Sequence, residues 1–155
     1  MKTFLLPLAL LAVVQADTSD ARMCYTGDLQ ACKSCDALGK AVAKAKPNDG
    51  EYYRGAQWNG LYAAYVHDCT AIAEDLLKRA ANPNWGGSSG SMIISVSNKW
   101  PHNDKTVNQK WASLLLKYGA SSKKLIPNEN KAPDELLKEY EGIPNYPDIW
   151  ALFHR

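Results

Sequence analysis

The chain has 155 residues, a formal net charge of +2, and a composition that is 46 % hydrophobic and 22 % charged. That length suits one domain with a modest core. Acids and bases are interleaved through the chain, and no basic stripe for a phosphate backbone is present, so nucleic acid is not expected as a partner.

Residues 1–16 open with one lysine, run apolar from Phe4 to Val14 and end in Val14-Gln15-Ala16, small residues suited to cleavage. This is the pattern of a secretory signal peptide, with an apolar centre too short to span a bilayer. Residues 17–155 hold no second long apolar run, so a single secreted, extracellular, monomeric domain is expected, with no membrane partner. All four cysteines, Cys24, Cys32, Cys35 and Cys69, follow residue 16. An even count in a secreted chain reads as two disulfides with three possible pairings. Cys32 and Cys35 share one expected helical turn, where a bridge would be strained. Cys69 is therefore expected to reach back to Cys32 or Cys35, and Cys24 to take the other. A zinc site from Cys32, Cys35, His67 and Cys69 has suitable ligands but suits an oxidising export route poorly. No metal and no cofactor are expected.

Asp28 is a candidate N-cap for a first helix that continues through alanine-rich Ala37 to Ala45. Lys46-Pro47-Asn48-Asp49-Gly50 ends it. The central stretch runs from Asn59 to Asn84. Leu61 with Ala64, then Ile72 with Leu76 and Leu77, are two apolar clusters at helical spacing, separated by His67-Asp68. Asn82-Pro83-Asn84 closes the second helix, since the residue before a proline is pushed out of the helical region. Two short helices with one apolar stripe each cannot bury both stripes alone, so neighbours of the same kind are expected.

Such a neighbour follows. Ile93 and Val96 repeat Leu61 and Ala64 at an offset of 32, while Leu115-Leu116-Lys117-Tyr118-Gly119-Ala120 repeats Leu76-Leu77-Lys78-Arg79-Ala80-Ala81 at 39. The difference is a seven-residue insertion, assigned to a loop over Lys99–Lys105. Thr106 with Gln109 reads as a capping box for the helix that follows, whose stripe is Val107, Trp111, Leu114 and Leu115. Leu61-x-x-Ala64 followed by Leu76-Leu77-Lys78-Arg79-Ala80-Ala81-Asn82-Pro83-Asn84 resembles the ankyrin repeat, whose pattern is T-P-L-H-x-A-A and then L-L-x-x-G-A-D-P-N. Three departures stand out. Asn59-Gly60-Leu61-Tyr62 replaces T-P-L-H, and Ala80 and Asp68 stand where that family has glycine. Lys46-Pro47-Asn48 echoes Asn82-Pro83-Asn84 at 36 residues.

The resemblance implies an all-α, short helix-turn-helix solenoid with a disulfide-stapled N-terminal cap. Residues 24–50 would be that cap or a partial repeat, 51–84 a repeat, 85–121 a repeat with an inserted loop, and 122–155 a degenerate repeat or C-terminal cap. In the last part, Pro133 to Tyr140 reads as a helix with proline in its first turn. Ile149, Trp150 and Phe153 are expected to pack back on the end of the stack.

The motifs that could carry catalysis fit poorly. Gly86-Gly87-Ser88-Ser89-Gly90 satisfies G-x-S-x-G, but that elbow requires a strand before the serine, a helix after it and a parallel sheet beneath. A small secreted serine hydrolase using Ser88 is therefore the alternative, with a disulfide-rich structural or defence protein as a third class. His102-Asn103-Asp104 lies in the inserted turn and reads as a solvated loop. The ankyrin resemblance instead implies a non-enzymatic protein-binding module that uses its hairpin tips and first-helix rims. A small chain of this kind with a signal peptide resembles the effectors that parasites secrete against host proteins, some delivered into host cells to meet a signalling or metabolic enzyme. On this reading the partner-binding residues are Tyr53, Arg54, Gln57, Trp58, Asp68, Trp85, Met92, Trp100 and His102. Tryptophan, tyrosine and arginine are the side chains that dominate interface hot spots.

Overall fold

Ser34 sits in extended backbone and its hydroxyl accepts from the Ala37 amide, starting helix α1, Cys35–Val42. Leu38 and Val42, one turn apart, are its buried positions. The computed structural model describes residues 34–43, 45–48, 50–53, 56–87, 90–99, 101–126, 130–139, 142 and 144–154, with backbone alone for 50–53, 56–58, 87 and 90. The expected signal peptide, the Asp28 cap, Cys24 and Cys32 lie outside the described residues. Cys35 is bonded to Cys69, with Cα atoms 5.5 Å apart. In a chain-entropy account, closing a loop of 34 residues stabilises the fold by about 4 kcal/mol.

Two hairpin–helix–helix units follow. In the first, β1 (Gly50–Tyr53) pairs antiparallel with β2 (Ala56–Asn59), and then come α2 (Gly60–Val66) and α3 (Thr70–Lys78). In the second, β3 (Gly86–Gly87) pairs with β4 (Gly90–Ser91), and then come α4 (Met92–Val96) and α5 (Lys105–Lys117). The fold is helical as expected, and two short hairpins introduce the helix pairs. Strands of two to four residues are too short for any alternation to register in sequence, and a lone two-stranded ribbon is stable only when it has helices to lean on.

The units share local devices at equivalent positions. Asn59 caps α2 through its side chain, which accepts from the Tyr62 amide at 2.8 Å, and Ser91, 32 residues on, caps α4 by accepting from Ile94 at 3.2 Å. These residues stand where the resembled motif has threonine and do the same work. At the other end, α3 closes with Ala80 N–H to Leu77 C=O (3.1 Å) and Ala81 N–H to Leu76 C=O (2.9 Å). Helix α5 closes with Gly119 to Leu116 (3.0 Å) and Ala120 to Leu115 (3.1 Å). Both are Schellman turns, which need one left-handed residue after the helix. That residue is Ala80 at φ 70° in the first and Gly119 at φ 85° in the second. Asp68, at φ 53°, plays the same part after α2, with Asp68 N–H on Tyr65 and Cys69 N–H on Ala64.

An asparagine ties each unit to the one before it. Asn48 accepts from the Asn82 amide and donates to the Ala80 carbonyl, and Asn84, at the echoed position, accepts from the Ser121 amide at 2.8 Å. Arg79 adds a clasp from the end of α3, donating to the carbonyls of Val42 and Ala45 at the C-terminus of α1, where a cation is favoured by the helix dipole.

Of the expected core, Leu61, Ala64, Leu76, Leu77, Ile93, Val96, Trp111 and Leu115 are buried, and Ile72 and Leu116 are half-buried against it. The helix pairs lie side by side across this core. The insertion is shared between loop and helix: three residues, 67–69, join α2 to α3, whereas eight, 97–104, join α4 to a longer α5. Asp104 caps α5 by accepting from Thr106 N–H, in place of the expected Thr106 cap. Both are good N-cap residues, and the longer helix starts at the earlier one.

Helix α6 (Pro133–Glu139) lies against β4, and α7 (Pro147–Leu152) packs on α4 and α5. Ile149 and Phe153 are buried and Trp150 is half-buried against the core, so the chain closes the end of the helix array here. Main-chain bonds fasten this closure, Ser122 N–H to Phe153 C=O and Tyr146 N–H to Ser97 C=O, and Lys105 pairs with Asp148 at 2.8 Å. Among the described residues no helix is long and apolar enough to cross a membrane.

Candidate recognition surface

Each expected contact residue is placed by the element that carries it. Tyr53, Gln57 and Trp58 lie in the first hairpin, with Tyr53 opposite Ala56, Tyr52 opposite Gln57 and Glu51 opposite Trp58. Their side chains, and all of Arg54 and Trp100, lie outside the described residues. Strand β2 neighbours β3, so the two hairpins stand next to each other along one edge.

Two expected contact residues are core. Trp85 is 3 % exposed and Met92 fully buried. The Met92 amide donates to the Trp85 carbonyl at 2.9 Å, which fixes Trp85 at the base of the second hairpin, and its ring lies 6.0 Å from that of Tyr62. The glycine-rich segment that follows leaves this ring no cover in sequence, but folding turns it inward onto the preceding unit. The first-helix rims are also closed: in α2 every residue from Gly60 to Tyr65 is buried, and in α4 only Ile94 is partly open.

Asp68 and His102 are engaged within the chain. Asp68 accepts from the indole N–H of Trp111 at 2.7 Å, and Lys110 lies 3.8 Å from the same oxygen. An indole N–H at the core boundary needs such an acceptor. His102 rests its ring edge-on against Tyr65, with centroids 5.0 Å apart, and its Nε2–H donates to the Tyr65 carbonyl, which fixes the tautomer. The histidine thus fastens the inserted loop to the end of α2.

The hub of that loop is Asn108, which is fully buried. Its amide donates to the carbonyls of His102 (2.8 Å), Asp104 (3.1 Å) and Asn98 (3.4 Å), and its oxygen receives the Tyr65 hydroxyl at 2.7 Å. Burial pushes the Tyr65 phenol well above its ordinary pKa, with Tyr62 and Tyr146 adding to the effect, so this hydroxyl stays a donor at any working pH. Neither Tyr65 nor Asn108 was expected from the stripe pattern. The signal was present, because Asn108 precedes Trp111, Ala112 and Leu115 at spacings of three, four and seven and so occupies a core position with a polar side chain.

On the outer face, a groove of ≈ 310 Å³ runs between α3 and α5, lined by Thr70, Ala71, Glu74, Lys110 and Leu114. Glu74 bridges the units here, 2.7 Å from Lys117 and 3.8 Å from Lys78. The hydrogen bond and charge of Lys117 hold the Glu74 carboxyl below the usual glutamate range and raise the Lys117 ammonium in return. A second groove, ≈ 440 Å³, lies between α6 and α7, with Leu137, Pro144 and Trp150 as apolar walls and Asp134, Lys138 and His154 around them.

In that region Ser122 donates to Asp134 at 3.1 Å, and His154 Nε2 lies 3.0 Å from the other carboxylate oxygen. The residue types are those of a hydrolytic triad, but aspartate occupies the middle, so His154 does not face the hydroxyl, and Ser122 is fully buried. The three residues tie the C-terminal turn down. Ser88 lies outside the described residues, and its flanks, Gly86–Gly87 and Gly90–Ser91, pair as a hairpin where the nucleophile elbow calls for a strand running into a helix. Among the described residues no group of three or more His, Cys, Asp and Glu converges to hold a metal.

No family model, curated protein or solved structure matches the chain.

Proposed function

We propose that the chain is a non-enzymatic protein-recognition module of ankyrin-like repeats, secreted as a parasite effector that engages a host protein through its hairpin tips. The observation that carries the reading is the recurrence of one plan: hairpin, capped short helix, longer helix, Schellman turn and an asparagine tie to the segment before. Repeats of this kind set hairpins side by side on one edge and leave their tips as variable contact points. The burial of α2 and α4 moves the contact away from the helix rims, so recognition falls to Tyr53, Arg54, Gln57 and Trp58 of the first tip. A few aromatic and arginine anchors are enough to supply most of the binding energy of such an interface.

Affinity capture from host-type extracts with the wild-type chain and a Trp58→Ala variant tests this reading. The expected result is loss of the captured protein by the variant, with helical circular dichroism and melting unchanged. A variant that loses helicity would make Trp58 a core residue, and one that binds as wild type would remove the first tip from the contact. A fluorophosphonate probe tests the hydrolase alternative: labelling of Ser88 would replace the recognition reading with catalysis.

A further inference from the structure

We propose that the Cys35–Cys69 disulfide is a redox release for helix α1, opened by a small thiol of the glutathione class, and that opening it uncovers the apolar end of the first helix pair. The two halves of the bridge are unequal. Cys35 is exposed, as the first residue of α1, whereas Cys69 is 3 % exposed. An incoming thiolate therefore attacks the Cys35 sulfur, and Cys69 is the leaving group.

Cys69 is also the N-cap residue of α3, a helix that no side chain caps. The positive end of a helix favours a negative charge placed there and so stabilises the departing thiolate, and a better leaving thiolate speeds exchange. The first step forms a bond between Cys35 and the incoming sulfur and breaks the Cys35–Cys69 bond, whose electron pair leaves on Cys69. A second thiolate then attacks the incoming sulfur, releasing Cys35 as thiolate and the small thiol as its oxidised disulfide. The two electrons come from the two thiols, and the Cys69 thiolate rests at the helix terminus or takes a proton from water.

The bridge is the one covalent cross-link between α1 and the first helix pair among the described residues. Helix α1 is eight residues long, too short to persist as an isolated helix. Among its described residues only Leu38 and Val42 are fully buried, Ala37 and Ala41 pack partly against the core, and the Arg79 clasp and the Asn48 bonds lie at its C-terminal end. Its departure uncovers Ile72, which now packs beside Gly39, together with the faces of α2 and α3 that α1 covers. This release does not depend on which residues of the hairpin tips make contacts.

The test treats the intact folded chain with reduced glutathione, quenches with iodoacetamide, and follows peptide mapping and hydrogen exchange. The first product is expected to carry glutathione on Cys35 and the iodoacetamide label on Cys69, with exchange over 35–43 at least tenfold faster and α5 still protected. Glutathione placed first on Cys69 would overturn the proposal. So would reduction no faster than the exchange of α5 amides, or unchanged protection over 35–43 once the bridge is open. A Cys35→Ser/Cys69→Ser chain is expected to show the fast exchange over α1 with no thiol added. If it retains full protection there, the bridge is not what holds the helix.

Discussion

Exchanging the two residues that close the outer helices tests the local geometry and the equivalence of the units together. Ala80 holds φ 70° where Gly119 holds φ 85°. A left-handed conformation costs an L-residue with a Cβ roughly 1–2 kcal/mol, a cost glycine escapes. Glycine gives back roughly 0.4–1 kcal/mol through the greater freedom of its unfolded chain. Ala80 is exposed, so its replacement leaves no cavity. The net expectation for Ala80→Gly is a gain of about 0.5–1 kcal/mol, or about 1–4 °C in melting temperature for a domain of this size. The converse, Gly119→Ala, is expected to lose about the same amount. The nearest atom to its new Cβ would be the end of the Lys124 side chain at 3.5 Å, an ordinary contact, so backbone strain alone sets the cost. Urea unfolding at constant m-value reads both changes. If Ala80→Gly destabilises the chain or leaves it unchanged, Ala80 does not hold the left-handed position and the shared Schellman closure fails.

Trp85→Ala is expected to cost about 3–5 kcal/mol by emptying a buried ring site, seen as a fall in the urea midpoint; stability equal to wild type would put the ring at the surface. Asn108→Ala removes the donor to three loop carbonyls, so a loss of about 1–3 kcal/mol and faster hydrogen exchange over 97–104 are expected. Unchanged exchange there would show the loop to be fixed by other contacts. The Glu74 carboxyl is expected to titrate by NMR below the ordinary glutamate value and to move back toward it in Lys117→Met. Because its folded pKa is depressed, the contribution of this pair is present above the unfolded value of about 4.3 and fades as pH falls through the folded one. A Glu74 midpoint that does not respond to Lys117→Met would remove the link between α3 and α5.

The parts of the fold that were legible in sequence are those where burial repeats at a helical period. Leu61, Leu76, Ile93 and Leu115 announced two helix pairs, and the 32- and 39-residue offsets placed the insertion between the second pair. The bridge from Cys69 to Cys35 was one of the pairings that strain within a single helical turn left open. The hairpins were hidden because their strands are too short for a period. Trp85 misled because a ring between asparagine and glycines looks like loop, while its burial depends on Tyr62, more than twenty residues earlier. Asn108 was hidden for the opposite reason: a polar residue in an apolar stripe signals a buried network only once the loop carbonyls it serves are in place. Of the expected contact residues, Trp85 and Met92 sit at hairpin positions whose burial the sequence does not signal, whereas Asp68 and His102 do reach the helix ends but are occupied by Trp111 and Tyr65.

Zero-length carbodiimide crosslinking of the native protein at high dilution, mapped by mass spectrometry, bears most directly on whether the two helix pairs lie side by side. Glu74 on α3 and Lys117 on α5 are 43 residues apart in sequence and 2.7 Å apart in space, so an amide bond joining them is predicted. Glu74 joined to Lys78 alone, with no crosslink between α3 and α5, would contradict the arrangement.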